Sequence, residues 1–279
     1  ATGHGDLIED HQGNWWIVFL AIRDMPTGSP RSHHLGRETC LAPVTWQDGW
    51  PVVNGDGTTD LQMTGPLPRS GSSSSSSSAS DTPGRSELAP EWTFLRNPVR
   101  ENYRLDEPTG VFSLTPSPLT LDDFSGSPTW LGRRQTAPEC EVEVVLEFSP
   151  RSEEEAGLSV FMNNRHHCEI ALRGEGGETR IIVRRRIGSL VATTFSQACP
   201  TAVLHLGITA DLKSYTFFYQ DPESGERVIA DTQETRYLST EVATGFTGVF
   251  FALYASGPKD GSTNPACFRS LRTSFPFPS

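Results

Sequence analysis

The first fifty residues concentrate the side chains best suited to chemistry: His4, Asp6, His11, His33, His34, Arg37 and Glu38. Four histidines and an aspartate invite a metal centre, because imidazole and carboxylate are common zinc donors. Their spacing fits no HExxH or comparable frame, which disfavours a zinc hydrolase. Asp6 and Glu38 are the acids nearest His4 and Arg37, and either could be mistaken for a general acid or base. The plainest role for His4 is a strand histidine satisfied by backbone, and for Arg37 a surface ion pair. Further along, His166 and His167 are adjacent in a strand start and point to opposite faces, so they are poor joint ligands. Glu153, Glu154 and Glu155, like Asp122 and Asp123, are expected to be solvated loop charges. Arg184, Arg185 and Arg186 alternate across a strand, as on a polar sheet face. No Gly-x-Ser-x-Gly elbow occurs in a strand–turn–helix context, and no phosphate loop of the GxxxxGK[ST] type.

Three textures divide the elements that must position these groups. Residues 1–54 hold short apolar runs: Trp15 to Ile22 is expected as a buried strand after the turn residues His11 to Asn14, and Glu38 to Val44 as a second strand before the turn at Gln47 to Pro51. About fifty residues cannot close a core alone. Residues 55–90 are Ser/Gly/Pro-rich, with Ser72 to Ser78 unbroken, and are expected to be a disordered linker because they bury too little apolar surface to offset their ordering entropy. Residues 91–279 carry strand after strand, among them Glu141 to Phe148 and Cys168 to Leu172, alternating polar and apolar as half-buried strands do. The weakest helix candidate, around Thr232 to Glu241, spans one or two turns at most. The expected class is all-β with an antiparallel sandwich.

An ordered set of short motifs carries a resemblance. Gly3-His4-Gly5-Asp6, Trp15-Trp16, Leu35-Gly36-Arg37-Glu38-Thr39 and Trp46-Gln47-Asp48-Gly49-Trp50-Pro51 look like the end of the five-bladed β-propeller of family 43 glycoside hydrolases of the β-xylosidase and α-L-arabinofuranosidase type. Pro128 to Gln135, Glu154 to Leu158, Arg165-His166-His167, Phe246-Thr247-Gly248 and Tyr254 to Gly257 resemble the concanavalin A-like C-terminal sandwich fused to that propeller. The fold so implied is a set of incomplete β-propeller blades (1–54), a linker (55–90) and an antiparallel concanavalin A-like, or jelly-roll, β-sandwich (91–279).

The resemblance implies hydrolysis, with inversion, of O-glycosyl bonds at terminal xylosyl or arabinosyl units of hemicellulose. Inversion needs a general base and a general acid about 6.5–9.5 Å apart, leaving room for water. In the family the carboxylates precede the Gly-His-Gly-Asp segment, so the acid and base are expected outside this chain and neither Asp6 nor Glu38 takes that role. The chain alone is expected to be inactive; were it active, the search would restart among Asp6, Glu9, Asp10 and Glu38. Two substrate-binding residues are implied: His4, near the propeller axis, which would reach a metal only through water, and Arg37, in the sugar pocket. A fixed guanidinium donates to sugar hydroxyls and holds a neighbouring carboxylate ionised. Trp15, Trp16, Trp46 and Trp50 could stack on sugars, but apolar bulk within a propeller is the safer assignment. No cofactor is implied, and a structural calcium stays unassigned. The expected partners are xylan or arabinoxylan oligosaccharides and the N-terminal propeller blades, and the intact protein is expected to be secreted and extracellular. The alternative is a non-catalytic carbohydrate-binding or structural sandwich module.

Composition agrees with a neutral substrate. With 23 basic against 34 acidic residues the net charge is −11, which disfavours nucleic acid, whose phosphates call for a basic surplus. No apolar run approaches the roughly 18 residues of a membrane-spanning helix. The five cysteines form no CxxC, and buried free thiols are their simplest state.

Overall fold

The computed structural model describes residues 1–25, 31–66, 88–106 and 108–274. The serine run expected to be a disordered linker lies outside them. Four strands, β1 (Thr2–Glu9), β2 (Trp15–Ala21), β3 (Glu38–Gln47) and β4 (Trp50–Val53), form one antiparallel sheet in the order β1-β2-β3-β4. This up-and-down meander is the unit of a propeller blade. Its turns have local causes. Asp10 closes the first by accepting from the backbone N–H groups of Gln12 and Asn14 and from the Asn14 amide and the Trp16 indole. These donors hold its carboxyl down at about 2. Asp48 and Gly49, at φ 51° and 81°, make the two-residue turn with both centres left-handed that the twist of a hairpin favours.

The strand over Trp15–Ala21 is half-buried rather than buried: of its residues only Phe19 is fully covered. β1 is exposed throughout, and Leu7, Ile8, Leu41, Trp46 and Trp50 show large apolar surface. A lone four-stranded sheet has two faces and too few residues to cover both.

The remaining strands are β5 (Trp92–Phe94), β6 (Tyr103–Asp106), β7 (Val111–Leu114), β8 (Thr129–Arg134), β9 (Cys140–Glu147), β10 (Glu155–Asn163), β11 (His166–Glu175), β12 (Glu178–Ile187), β13 (Leu190–Ala198), β14 (Val203–Ala210), β15 (Ser214–Gln220), β16 (Arg227–Glu234), β17 (Phe250–Ser256) and β18 (Ala266–Ser274). They build two antiparallel seven-stranded sheets, β13-β12-β11-β10-β17-β8-β5 and β16-β15-β14-β9-β18-β7-β6. The inward residues of both sheets, such as Val142, Val144 and Leu146 facing Leu158, Val160 and Ile170, make the main core. Period-two alternation places them on one face. The helix candidate resolves into the end of β16, a 3-10 turn over Thr235–Leu238 and one helical turn, α1 (Thr240–Ala243). Cys140, Cys168 and Cys199 are buried free thiols, and Cys40 and Cys267 are free and half-buried.

The outer face of the first sheet is not a polar solvent face. Trp130, Phe161, Ala171, Ile182 and Tyr254 are buried there, with Leu121 from the β7–β8 connection packed on them. One sequence expectation fails here: Glu154 and Glu155 are 2% and 4% exposed, so they are not solvated loop charges. The reason is the partners that the fold brings to them: the Arg184 guanidinium for Glu155, and the Ser262 hydroxyl, the Asn264 amide and the Arg151 backbone N–H for Glu154. Asp122 is exposed, as expected of a loop charge, and is paired with His167 and Arg186.

Candidate functional site

His4 and Arg37 flank the same end of the four-stranded sheet, with β2 between them: Thr2 pairs with Ala21, and Ala21 with Glu38. His4 sits in a register shift between Gly3 and Asp6, at φ 53°. A left-handed non-glycine residue in a bulge re-aims its side chain at a cost of order 1 kcal/mol or more, and such strain clusters at functional sites. Arg37 is exposed, and its guanidinium lies 4.2 Å from the centre of the Phe246 ring, a side chain of the sandwich that is itself 70% exposed. Among the described residues no carboxylate stands within ion-pair distance of Arg37.

The other candidates are engaged elsewhere. Glu38 is bound two-pronged by Arg23, at 2.7 and 2.8 Å, and Arg23 also reaches the Thr136 carbonyl of the sandwich. Asp6 and His11 are exposed, and Asp10 closes a turn. His33 and His34 turn away from His4 and into the sandwich. Nδ1 of His33 lies 2.6 Å from Glu241 of α1, whose other oxygen accepts from the His33 N–H at 3.0 Å. His34 is 1% exposed, edge-on to Tyr215 and 3.5 Å from Gln135. Burial, then the charges of Arg23 and His33, push its pKa down to about 4. Among the described residues no three His, Cys, Asp or Glu side chains converge as metal ligands.

The segment carrying Arg37 is therefore sewn to the sandwich. Thr240 N–H donates to the His33 carbonyl at 3.0 Å and Val249 N–H to the His34 carbonyl at 2.9 Å. Arg134 Nη2 donates to the carbonyls of Leu35 and Arg37 at 2.5 and 2.6 Å. Gly36, at φ 72°, packs so closely on Gly248 that a Cβ on either would overlap backbone. Gln135, fully buried, accepts from the Tyr215 hydroxyl at 2.8 Å and donates to the Ala137 carbonyl. The roles of Arg134, Gln135, Glu241 and Phe246 were not visible in the sequence, because each depends on a contact about 80 to 210 residues away.

A second charged cluster occupies the outer face of the first sandwich sheet. Arg184 binds Glu155 through two bonds of 2.9 and 2.7 Å and Glu169 at 3.1 Å, and the Tyr254 hydroxyl donates to Glu155 at 2.6 Å. Burial would raise the Glu155 carboxyl, but Arg184 and Tyr254 outweigh it and hold it below the usual carboxylate range. His167 is enclosed between Glu169 and Asp122, and Asp122 also pairs with Arg186 at 3.0 Å. Burial would depress His167, but Glu169 and Asp122 raise it to about 9. His166, by contrast, faces Asn163. The charged groups of this face are paired with one another, while Trp130 Nε1, Ser159 Oγ and Arg186 Nε are buried without a hydrogen-bond partner among the described residues.

Comparison with known proteins follows the same division. Residues 82–274 match the family model described as the β-xylosidase C-terminal concanavalin A-like domain, and residues 1–51 match the model of glycosyl hydrolases family 43. The chain belongs to glycosyl hydrolase family 43. It is a C-terminal family 43 stretch, joining the end of the hydrolase domain to its concanavalin A-like domain. It is 36% identical over 272 residues to a non-reducing end α-L-arabinofuranosidase of Bacteroides ovatus, covering 96% of this chain and 50% of that protein. It is 30% identical to a xylosidase/arabinosidase of Butyrivibrio fibrisolvens, covering 94% of this chain and 50% of that one. A family 43 structure from the Bacteroides ovatus xyloglucan locus superposes with a TM-score of 0.79 at 34% identity, over 97% of this chain and 53% of that one. A Bacillus licheniformis family 43 structure gives 0.85 at 27% identity, over 99% and 53%. The chain spans about half the length of the curated relatives it matches.

Proposed function

We propose that the chain is the C-terminal part of a secreted glycosidase that removes terminal xylosyl or arabinosyl units from hemicellulose with inversion. The acid and base carboxylates belong to propeller blades outside these 279 residues, and this stretch contributes His4 and Arg37 to the sugar pocket. The observation that carries the proposal is the placement of Arg37. It is exposed at the blade end that also bears the strained His4, and it is steadied on Phe246 rather than neutralised by an acid among the described residues. A guanidinium so placed can donate to sugar hydroxyls and to a carboxylate supplied by another blade. Substrates are xylan or arabinoxylan oligosaccharides, a reading supported by relatives named α-L-arabinofuranosidase and xylosidase/arabinosidase. The role requires no cofactor, and any cation near His4 would be held through water.

The assay is hydrolysis of an aryl arabinofuranoside and an aryl xyloside by the 279-residue chain and by the polypeptide that includes the preceding blades. The longer polypeptide is expected to be active and the 279-residue chain silent, since general acid and base each contribute about 10²–10⁴ in rate. Turnover by the short chain that disappears on Asp6→Asn or Glu38→Gln would overturn the assignment.

A further inference from the structure

Between the bridge at Ser32 and the start of β3 at Glu38 the chain forms no strand, so its backbone groups need partners from elsewhere. The sandwich supplies them to the carbonyls of His33, His34, Leu35 and Arg37. Two of these four bonds come from a single guanidinium nitrogen, on either side of Gly36. We propose that Arg134 is a positioning residue for Arg37. The claim rests on the pocket role of Arg37 proposed above.

Fixing the carbonyls of Leu35 and Arg37 fixes the peptide plane that precedes Gly36 and the one that follows Arg37. Those planes set the direction in which the Arg37 side chain leaves the backbone. Gly36 alone would leave that direction loose, because a residue without Cβ has wide conformational freedom. Two features remove the looseness. The contact with Gly248 admits one approach only, since a Cβ at Gly248 would run into the Leu35 carbonyl. The Arg134 clasp is charge-assisted and half-buried, and such bonds are roughly twice as strong as neutral ones. The Phe246 ring then meets the far end of the side chain, 4.2 Å from the guanidinium carbon. Arg37 is thereby held at its base by Arg134 and at its tip by Phe246, both from the sandwich. The sandwich thus acts in sugar recognition through Arg37 without touching the sugar by way of Arg134. A lysine at 134 would be a poorer clasp, because its ammonium lacks the planar fork.

The test is a double-mutant cycle in the active full-length polypeptide, with kcat and KM measured separately on an aryl glycoside. Arg37→Ala is expected to lower kcat/KM. Arg134→Ala is expected to lower it about tenfold to hundredfold, the scale of a misplaced binding group, with Arg134→Lys between it and the parent. In the Arg37→Ala background, Arg134→Ala is expected to cost nothing more, because a positioning residue has no effect once its client is gone. A loss of equal size with and without Arg37 would show a general structural role and overturn the proposal. A loss in Arg37→Ala with none in Arg134→Ala would overturn the positioning while sparing the pocket role. A silent Arg37→Ala would remove the pocket role and the proposal with it. If Arg134→Ala does not fold, Arg134→Lys runs the same cycle under the same criteria, with a smaller loss expected.

Discussion

At the scale of single residues, the charges that the sequence scatters as apparent surface groups are the ones most tightly committed. Arg184 answers two buried carboxylates, Glu155 and Glu169. Arg184→Met is expected to destabilise the sandwich by about 3–5 kcal/mol, because it strands buried charge rather than deleting a pair. A urea titration read by tryptophan fluorescence checks this, and an unchanged midpoint would show that the carboxylates find other partners. His34 sets a pH dependence. Its folded pKa, about 4, lies below the ordinary imidazole value of 6.5, so the unfolded chain binds the proton first as pH falls. The stability it contributes is complete above about 6.5 and lost as pH falls to about 4. His34→Gln is expected to flatten that part of the stability curve; a mutant curve parallel to the parent's would assign the acid sensitivity to other groups.

At the scale of elements, the blade and the sandwich differ in how much of each strand is covered. β10 and β11 are buried along nearly their whole length, while β1 is exposed from end to end and β2 is half-buried. Local opening free energy follows burial and protected hydrogen bonding. Native-state hydrogen exchange on the 279-residue chain is expected to show fast exchange in β1 and in Trp15–Ala21, and slow exchange in β10 and β11. Uniform protection across both regions in a monomer would contradict that ordering. Among the described residues of the blade region, the stretch from His33 to Arg37 is tied to the sandwich through Glu241, Thr240, Val249 and Arg134, and Arg23 through the Thr136 carbonyl.

At the scale of the whole molecule, the sequence by itself determined the all-β class, the alternation that sorts Val142, Val144 and Leu146 inward, the hairpin turn at Asp48-Gly49 and the family. Each rests on local stereochemistry or on the order of short motifs, and both are properties of the linear chain. Only the tertiary structure decided which charges are solvated. Glu155, Glu169 and Arg184 are neighbours because β10, β11 and β12 lie side by side in register, and no spacing within one strand states that register. Only the tertiary structure decided that His33 and His34 face the sandwich while His4 and Arg37 share the blade end. The same holds for Arg134, 97 residues from the backbone of Arg37 that it holds. A side chain's type is written in the sequence, but its partner is chosen by packing, because desolvation and Coulomb energy act over a few ångströms of space whatever the distance along the chain.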